Sequence, residues 1–577
     1  MLRSSKPTLT KSLATVIFLF VMTFNTFAQN ASIANNVEVR RKQLNDLLAQ
    51  QWEYVLRTSP EFASILGDRR YNNKVSDVSE KAVLADLEET KKFLAKFEAV
   101  DATGFPEQEA LNKTLMVRNL KEQIDNAKFN NWQMPVNQFF GAHIDLPQYA
   151  ALFPFETVKD YDDYITRLKL MPRQIDDTIV NMRKGMKAGL MQPRFLLEKV
   201  VVQAKAIAEK KPAESAFAEP LAKLPKTFSA KDQARIKKQT HAAIAGSITP
   251  AYNRFIKFVK EEYAPKGRND VGLWSLPDGA ARYAAAAKSL TTTDVPPAKI
   301  HEIGLEQVAE LERQKLEIAK KMGFNDLKSF DAAIKADPKQ HPSSRQEILN
   351  LYRKYTDEMW KELPKLFGRL PKAKLEIRAV EAFREKEASG ASYNQGTPDG
   401  SRPGIVKVNT YDFANKQKIT IESTSYHEGV PGHHMQISIA QELPTLPPFR
   451  QQAGYTAYIE GWALYSERLG KEIGFYQDPY SDYGRLEDEM WRAIRLVVDT
   501  GVHLKKWNRQ QVVDYMHEHS SSDEANIQSE TDRYIAWPGQ ALAYKMGQLK
   551  IMELRAKAQK ALGAKFDIRG FHDEVLG

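Results

Sequence analysis

The sequence predicts a mainly α fold, large and two-lobed, with a small antiparallel β-sheet beside a metal-site helix. Three observations predict it. Long stretches poor in turn residues carry apolar positions three and four apart, as in residues 39–54, 173–186 and 300–322, a spacing that gives a helix one buried stripe. Strand signals are confined to residues 374–380 and 391–411, where β-branched residues alternate between turn clusters. A chain of 577 residues also exceeds what one hydrophobic core usually holds, so it is expected to divide.

Taken in order, Arg3, Lys6 and Lys11 precede an apolar run from Leu13 to Phe24, and Ala28 ends a small-residue cleavage site. Residues 1–28 are therefore expected to be an export signal. The apolar run falls short of the roughly 20 residues of a spanning helix, so no stable membrane insertion is expected after signal cleavage. The mature chain is expected in the periplasm of a bacterium or outside the cell. Cysteine is absent, which excludes disulfides, thiolate nucleophiles, cysteine zinc sites and a lipid-bearing cysteine at the cleavage site. Any metal must be held by histidine and carboxylate. The net charge of +10 is spread among interspersed acids and bases, the pattern of solvated helical surfaces, so no nucleic-acid partner is expected.

An N-terminal helical lobe is expected over residues 29–285 and a catalytic lobe over 286–577, divided near a turn cluster at 274–279. Within the first, the Lys- and Ala-rich stretch 204–238 with Pro212, Pro220 and Pro225 reads as a loose surface connection. Within the second, the expected strands immediately precede a histidine cluster. An edge strand there could accept an extended peptide by main-chain pairing, with Asn409 at the strand's end among the candidate substrate contacts.

Three of the eleven histidines fall within residues 427–434, His-Glu-Gly-Val-Pro-Gly-His-His. Other His-Glu pairs, His301-Glu302 and His517-Glu518, have no histidine at a useful spacing downstream and read as ordinary helical positions. In many zinc hydrolases two histidines four apart share a helical face and the glutamate between them acts as general base. Here His427 and His433 are six apart, a rotation of about 600° and a rise of about 9 Å on a regular helix. A regular helix could not place both on one ion. Pro431 removes an amide donor and Gly432 relaxes the backbone, so a kink or bulge is expected to bring His433, in preference to His434, back toward His427.

Downstream, Glu460 and Glu467 lie seven apart in an apolar helix, and a buried carboxylate is costly unless paired or bound to metal. Glu460 is the expected third ligand, and Glu467 a salt-bridge or orienting partner. Arg495, Asp499 and His503 form a polar stripe that could orient ligands, fix a substrate group or serve as a structural ion pair. Around a second Pro-Gly break at 538–539, Arg533, Tyr534, Tyr544 and Lys545 supply donors. Tyr534, Arg533 and Tyr544, in that order, are candidates to steady an oxyanion, with Tyr544, Lys545 and His503 as candidate substrate contacts.

These four motifs, in this order, resemble the bacterial family known as domain of unknown function 885 over nearly the whole mature chain. That family is similar to helical zinc metallopeptidases of the gluzincin kind. The resemblance implies Zn2+ held by His427, His433 and Glu460, Glu428 as general base, a channel between helical lobes, and a peptide as substrate. The six-residue histidine spacing departs from the better-known relatives. The expected function is thus an exported zinc metallopeptidase. The alternatives are a metal-dependent amidase, isopeptidase or esterase, and a non-catalytic helical binding protein. The oligomeric state is not legible.

Overall fold

In a computed structural model the described residues are 36–380, 385, 389–396, 403–443, 446–452 and 454–577. The expected signal, residues 1–28, lies outside them. Helices occupy most of the described chain, and none is long and apolar enough to cross a membrane.

Two compact units are present, one ending at Lys128 and the other running from Phe129 to Gly577. The first is built from helices over residues 36–58, Pro60–Ile65, Glu80–Ala99 and Glu107–Ala127. Phe93 and Phe97, and Met116 and Leu120, are buried there at the four-residue spacing of one helical face.

The second unit contains every candidate site residue, and the expected lobe boundary near residue 285 falls inside it. Next to that boundary, Tyr283 is buried and its hydroxyl donates to Asp499 at 2.6 Å. The 204–238 stretch, read as loose, is packed: Phe217 is fully buried and Tyr164 donates to its carbonyl. Pro212 starts and Pro220 sits within short 3-10 helices, so they punctuate the backbone without loosening it.

Nine helices and three strands of this unit matter below. Helix α1 (Val158–Lys187) opens with a Thr157–Asp160 capping box, in which side chains satisfy amides that have no intrahelical partner. Helix α2 (Pro297–Lys321) packs lengthwise on a later helix, and helix α3 (Arg345–Leu366) backs the sheet. Strand β1 (Leu375–Ala379), β2 (Ala391–Asn394) and β3 (Gly404–Val408) are followed by α4 (Ile421–Glu428), α5 (His433–Glu442), α6 (Thr456–Glu472), α7 (Pro479–His503), α8 (Glu524–Ala536) and α9 (Ala543–Leu562).

The sheet is mixed, where an antiparallel one was expected. Its order is β1-β3-β2, with Leu375 beside Gly404 in a parallel pair and Ala391 beside Val408 in an antiparallel one. The chain between β1 and β3 is long enough for the crossover that a parallel pair requires, so β3 inserts between the two earlier strands. Residues of β3 alternate buried and half-buried, as a central strand with one packed face should. Strand β2 is left at an edge, and Tyr393 on it reaches His434 Nδ1 at 3.0 Å.

Two glycine contacts set the helix layout. In α2, a Cβ at Gly304 would lie 2.8 Å from Leu496 Cβ and from Val497 Cγ2 of α7; without one, the axes approach closely over a core of Val308, Leu311, Met490, Ile494 and Val498. In α6, a Cβ at Gly461 would lie 2.5 Å from the Gly547 Cα of α9. That crossing packs the turn of α6 that carries Glu460 onto α9 through its neighbour Gly461. Beneath α4 and α5 a second core of Met359, Leu363, Tyr426, Met435, Trp462 and Leu469 supports the histidines.

Candidate metal centre

Helix α4 stops at Glu428 and α5 restarts at His433. The expected kink or bulge is thus a full break. Pro431 has no amide to donate, and the broken segment satisfies its remaining groups internally: Gly432 N donates to Tyr426 O at 2.9 Å and His434 N to Gly429 O at 3.1 Å. The Trp462 indole donates to Pro431 O at 2.8 Å. A Cβ at Gly432 would sit 2.0 Å from the His427 carbonyl oxygen, so only glycine permits this reversal.

The break places His427 at the end of one helix and His433 at the start of the next, with ring centroids 4.7 Å apart and planes at 86°. Glu460 reaches both, its Oε2 lying 3.7 Å from His427 Nε2 and 3.5 Å from His433 Nε2. One ligand atom from each of the three falls within 4.8 Å of the others. Glu467 accepts at 2.7 Å from His427 Nδ1, leaving Nε2 facing the cluster, the arrangement in which a carboxylate fixes the tautomer of a metal-binding imidazole.

Burial works against the charge on Glu460, yet His427 and His433 hold its carboxyl well below the ordinary range. Burial likewise opposes a proton on His427, but Glu460 and Glu467 lift it to about 9. The same fields favour a cation of any kind. His433 Nδ1 is buried without a hydrogen-bond partner. Two imidazoles and one carboxylate, with one imidazole backed by a second carboxylate, fit the donor set of a catalytic zinc site with an open position.

Glu428, the last residue of α4, is half-buried, and no hydrogen bond or ion pair holds its carboxylate among the described residues. His434, by contrast, is fully buried and turned away: its Nδ1 meets Tyr393 and its Nε2 the Ala373 carbonyl at 3.1 Å. Burial pushes its pKa down to about 4.

The remaining expected residues sort by their partners. Tyr534 is buried, donating to Glu530 at 2.8 Å and accepting from Arg495 Nε at 3.1 Å. Arg533 pairs with Glu530 at 3.2 Å and donates to Gln540 at 2.9 Å and the Tyr544 hydroxyl at 3.2 Å. Tyr544 also accepts from Gln540, and among the described residues nothing takes its own proton. Lys545 is buried on Glu489 at 2.7 Å and Gln548 at 2.8 Å, so its ammonium serves a structural pair. Both nitrogens of His503 are spent on main chain, Nδ1 accepting from Leu273 N and Nε2 meeting Tyr534 O. Asn409 is turned into its own loop, donating to Glu385 O at 2.7 Å and accepting from Tyr411 N.

One residue escaped the sequence reading. Arg492, on α7, contacts Asp488 at 3.2 Å and Glu467, which backs His427, at 3.4 Å. Its position three residues before Arg495, and so on the same face of α7, was the available signal.

Comparisons with known proteins follow this geometry. The model of a family described as "Bacterial protein of unknown function (DUF885)" matches residues 60–577. The crystal structure of a "putative lipoprotein" from Colwellia psychrerythraea is 29% identical, covers 93% of this chain and 96% of its own, and superposes with a TM-score of 0.88. A "putative lipoprotein of unknown function" from Shewanella oneidensis is 17% identical, covers 92% of this chain and 96% of its own, and has a TM-score of 0.72; it shows the fold alone. No curated protein matches the chain.

Proposed function

From the premise that this chain belongs to the DUF885 family, whose description leaves function open, we propose that it is an exported zinc-dependent metallopeptidase. One observation carries the reading: His427, His433 and Glu460 present ligand atoms within 4.8 Å of one another, and Glu428, which follows His427, has no hydrogen bond or ion pair on its carboxylate among the described residues. A zinc ion held by these three would supply Lewis acidity, which polarises a carbonyl and acidifies water toward neutrality.

The chain's own residues do the rest. Glu428 would take the proton from the attacking water and return it to the departing amine, the role of a general base. Glu467 keeps the His427 ring oriented by accepting from Nδ1. For the oxyanion, Tyr544 is better placed chemically than Tyr534, because the Tyr534 proton is committed to Glu530 while the Tyr544 proton is not. The edge strand β2 beside α5 favours an extended peptide over a compact ester or amide, since its open side offers main-chain pairing.

Export is supported by the signal-like residues 1–28 and by the description of the solved relatives as lipoproteins. With no cysteine in this sequence, no residue can carry a thioether-linked lipid, and the chain is read as periplasmic or secreted. The test of the mechanism is Glu428→Gln. It is expected to retain one zinc per chain while peptide hydrolysis falls at least about a thousandfold. Equal turnover by variant and parent would refute the assignment of the base.

A further inference from the structure

The cluster beyond Arg492 is electrostatically unfinished. Arg495 and Arg533 share a single carboxylate, Glu530: Arg495 Nη2 lies 3.0 Å from its Oε2 and Arg533 Nη1 3.2 Å from its Oε1. The Tyr534 hydroxyl also donates to Oε2, so both oxygens of Glu530 are engaged. Arg495 is more than nine-tenths buried, and its Nη1 has no hydrogen-bond partner. Its guanidinium stacks over the Tyr544 ring, 4.5 Å from the centroid. A buried guanidinium nitrogen left unpaired costs more than a neutral donor would.

An arginine pair with one shared counter-ion suits a planar two-oxygen anion, which guanidinium forks bind in bidentate fashion. The cluster can be reached from solvent: the Arg533 side chain is 23% exposed and that of Glu530 15%, close to the 19% of Glu460. It is also short of the histidine centre by few contacts. Arg495 follows Arg492 by one turn of α7, about 5 Å of rise, and Arg492 contacts the Glu467 that backs His427. By a second route, Tyr544 lies one turn before Gly547, which packs on Gly461 beside Glu460.

The geometry points to Arg495 and Arg533 as the seat of the free C-terminal carboxylate of a peptide, which makes the enzyme one that cleaves from the carboxyl end. The carboxylate supplies the second counter-ion that Glu530 alone cannot, and its span to the scissile carbonyl is short, about one to three residues at roughly 3.5 Å each. The assignment of the carboxylate to a peptide rests on the peptidase reading; the preference of the site for a terminal anion does not.

The experiment therefore reads binding, with hydrolysis as a separate arm. Zinc-loaded Glu428→Gln protein is equilibrated with pooled, N-acetylated tripeptides of randomised sequence, as free acids and as C-terminal amides, and retained peptide is quantified by ultrafiltration and mass spectrometry. Free acids are expected to be retained at least tenfold more tightly than amides, with that discrimination lost in a further Arg533→Gln substitution and partly kept in Arg533→Lys, at unchanged zinc content. Equal retention of acids and amides, or retention of neither, overturns the carboxylate seat. In the separate arm, absence of cleavage of either pool by the parent enzyme overturns the peptidase reading, and leaves the binding result to stand or fall by itself.

Discussion

The two Pro-Gly breaks of this protein do opposite things with their polar groups. At Pro431-Gly432 the backbone is satisfied by Tyr426, Gly429 and Trp462, and the flanking side chains are left wanting: among the described residues His433 Nδ1 has no hydrogen-bond partner and the Glu428 carboxylate has no hydrogen bond or ion pair. At Pro538-Gly539 the break itself is tied down, with the Gly539 amide donating to both oxygens of buried Asp499 at 3.2 and 3.0 Å. The stripe on α7 completes the attachment, since Arg495 holds Tyr534 and His503 holds the Tyr534 carbonyl. The difference lies in the backbone: the first break is closed by main-chain carbonyls and an indole, whereas the second is anchored on a buried carboxylate and so is a joint that fixes the arginine-tyrosine cluster beside it. The lesson is to ask of a helix interruption which groups it leaves over.

Disrupting the first break should have the largest effect. Gly432→Ala puts a Cβ against the His427 carbonyl and must displace backbone; zinc stoichiometry is expected to fall below about a tenth and stability by several kcal/mol, read by elemental analysis and thermal unfolding. Retained zinc would mean that the break is not what converges the histidines.

The second break is probed by pH. Burial raises the Asp499 carboxyl to about 7, against the hydroxyl of Tyr283 and the Gly539 amide, which favour the charged form. A carboxyl whose folded pKa lies above its unfolded one binds its proton more tightly when folded. Its contribution is therefore present in full below about pH 4 and is lost as pH rises toward 7. Parent protein should lose at most about 4 kcal/mol from this group over that window, and Asp499→Asn should flatten the slope in urea unfolding. A steeper slope in the variant would contradict the joint.

Smaller effects sharpen the contrast. Glu467→Gln should weaken zinc binding by about 10- to 100-fold without unfolding the chain, because the imidazole loses the carboxylate that orients it; zinc competition with a chelator measures this. Gly539→Ala, at φ +84°, should cost about 1–2 kcal/mol of stability and leave zinc affinity unchanged.

Much of the fold was legible because helical periodicity is a local property. The apolar spacing of residues 300–322 shows the helix that α2 forms before any partner is known. Sheet topology is not local: nothing in residues 374–409 reveals that β3 would slip between β1 and β2, since that depends on what the intervening chain packs against. At the site, the spacing of His427 and His433 exposed the need for a break, and Glu460 stood out as a carboxylate in an apolar helix. Sequence could not tell that Tyr534 would spend its proton on Glu530, or that His503 and Lys545 would be consumed by partners within the fold. Those outcomes turn on which donor meets which acceptor across segments distant in the chain.

Zinc content of natively purified protein, in the parent and in His433→Ala and His434→Gln variants, addresses the centre most directly. One equivalent is expected in the parent and in His434→Gln, and less than about a tenth in His433→Ala, with all three folded by circular dichroism. A parent without stoichiometric metal, or loss of metal on changing His434 while His433→Ala retains it, would contradict the account.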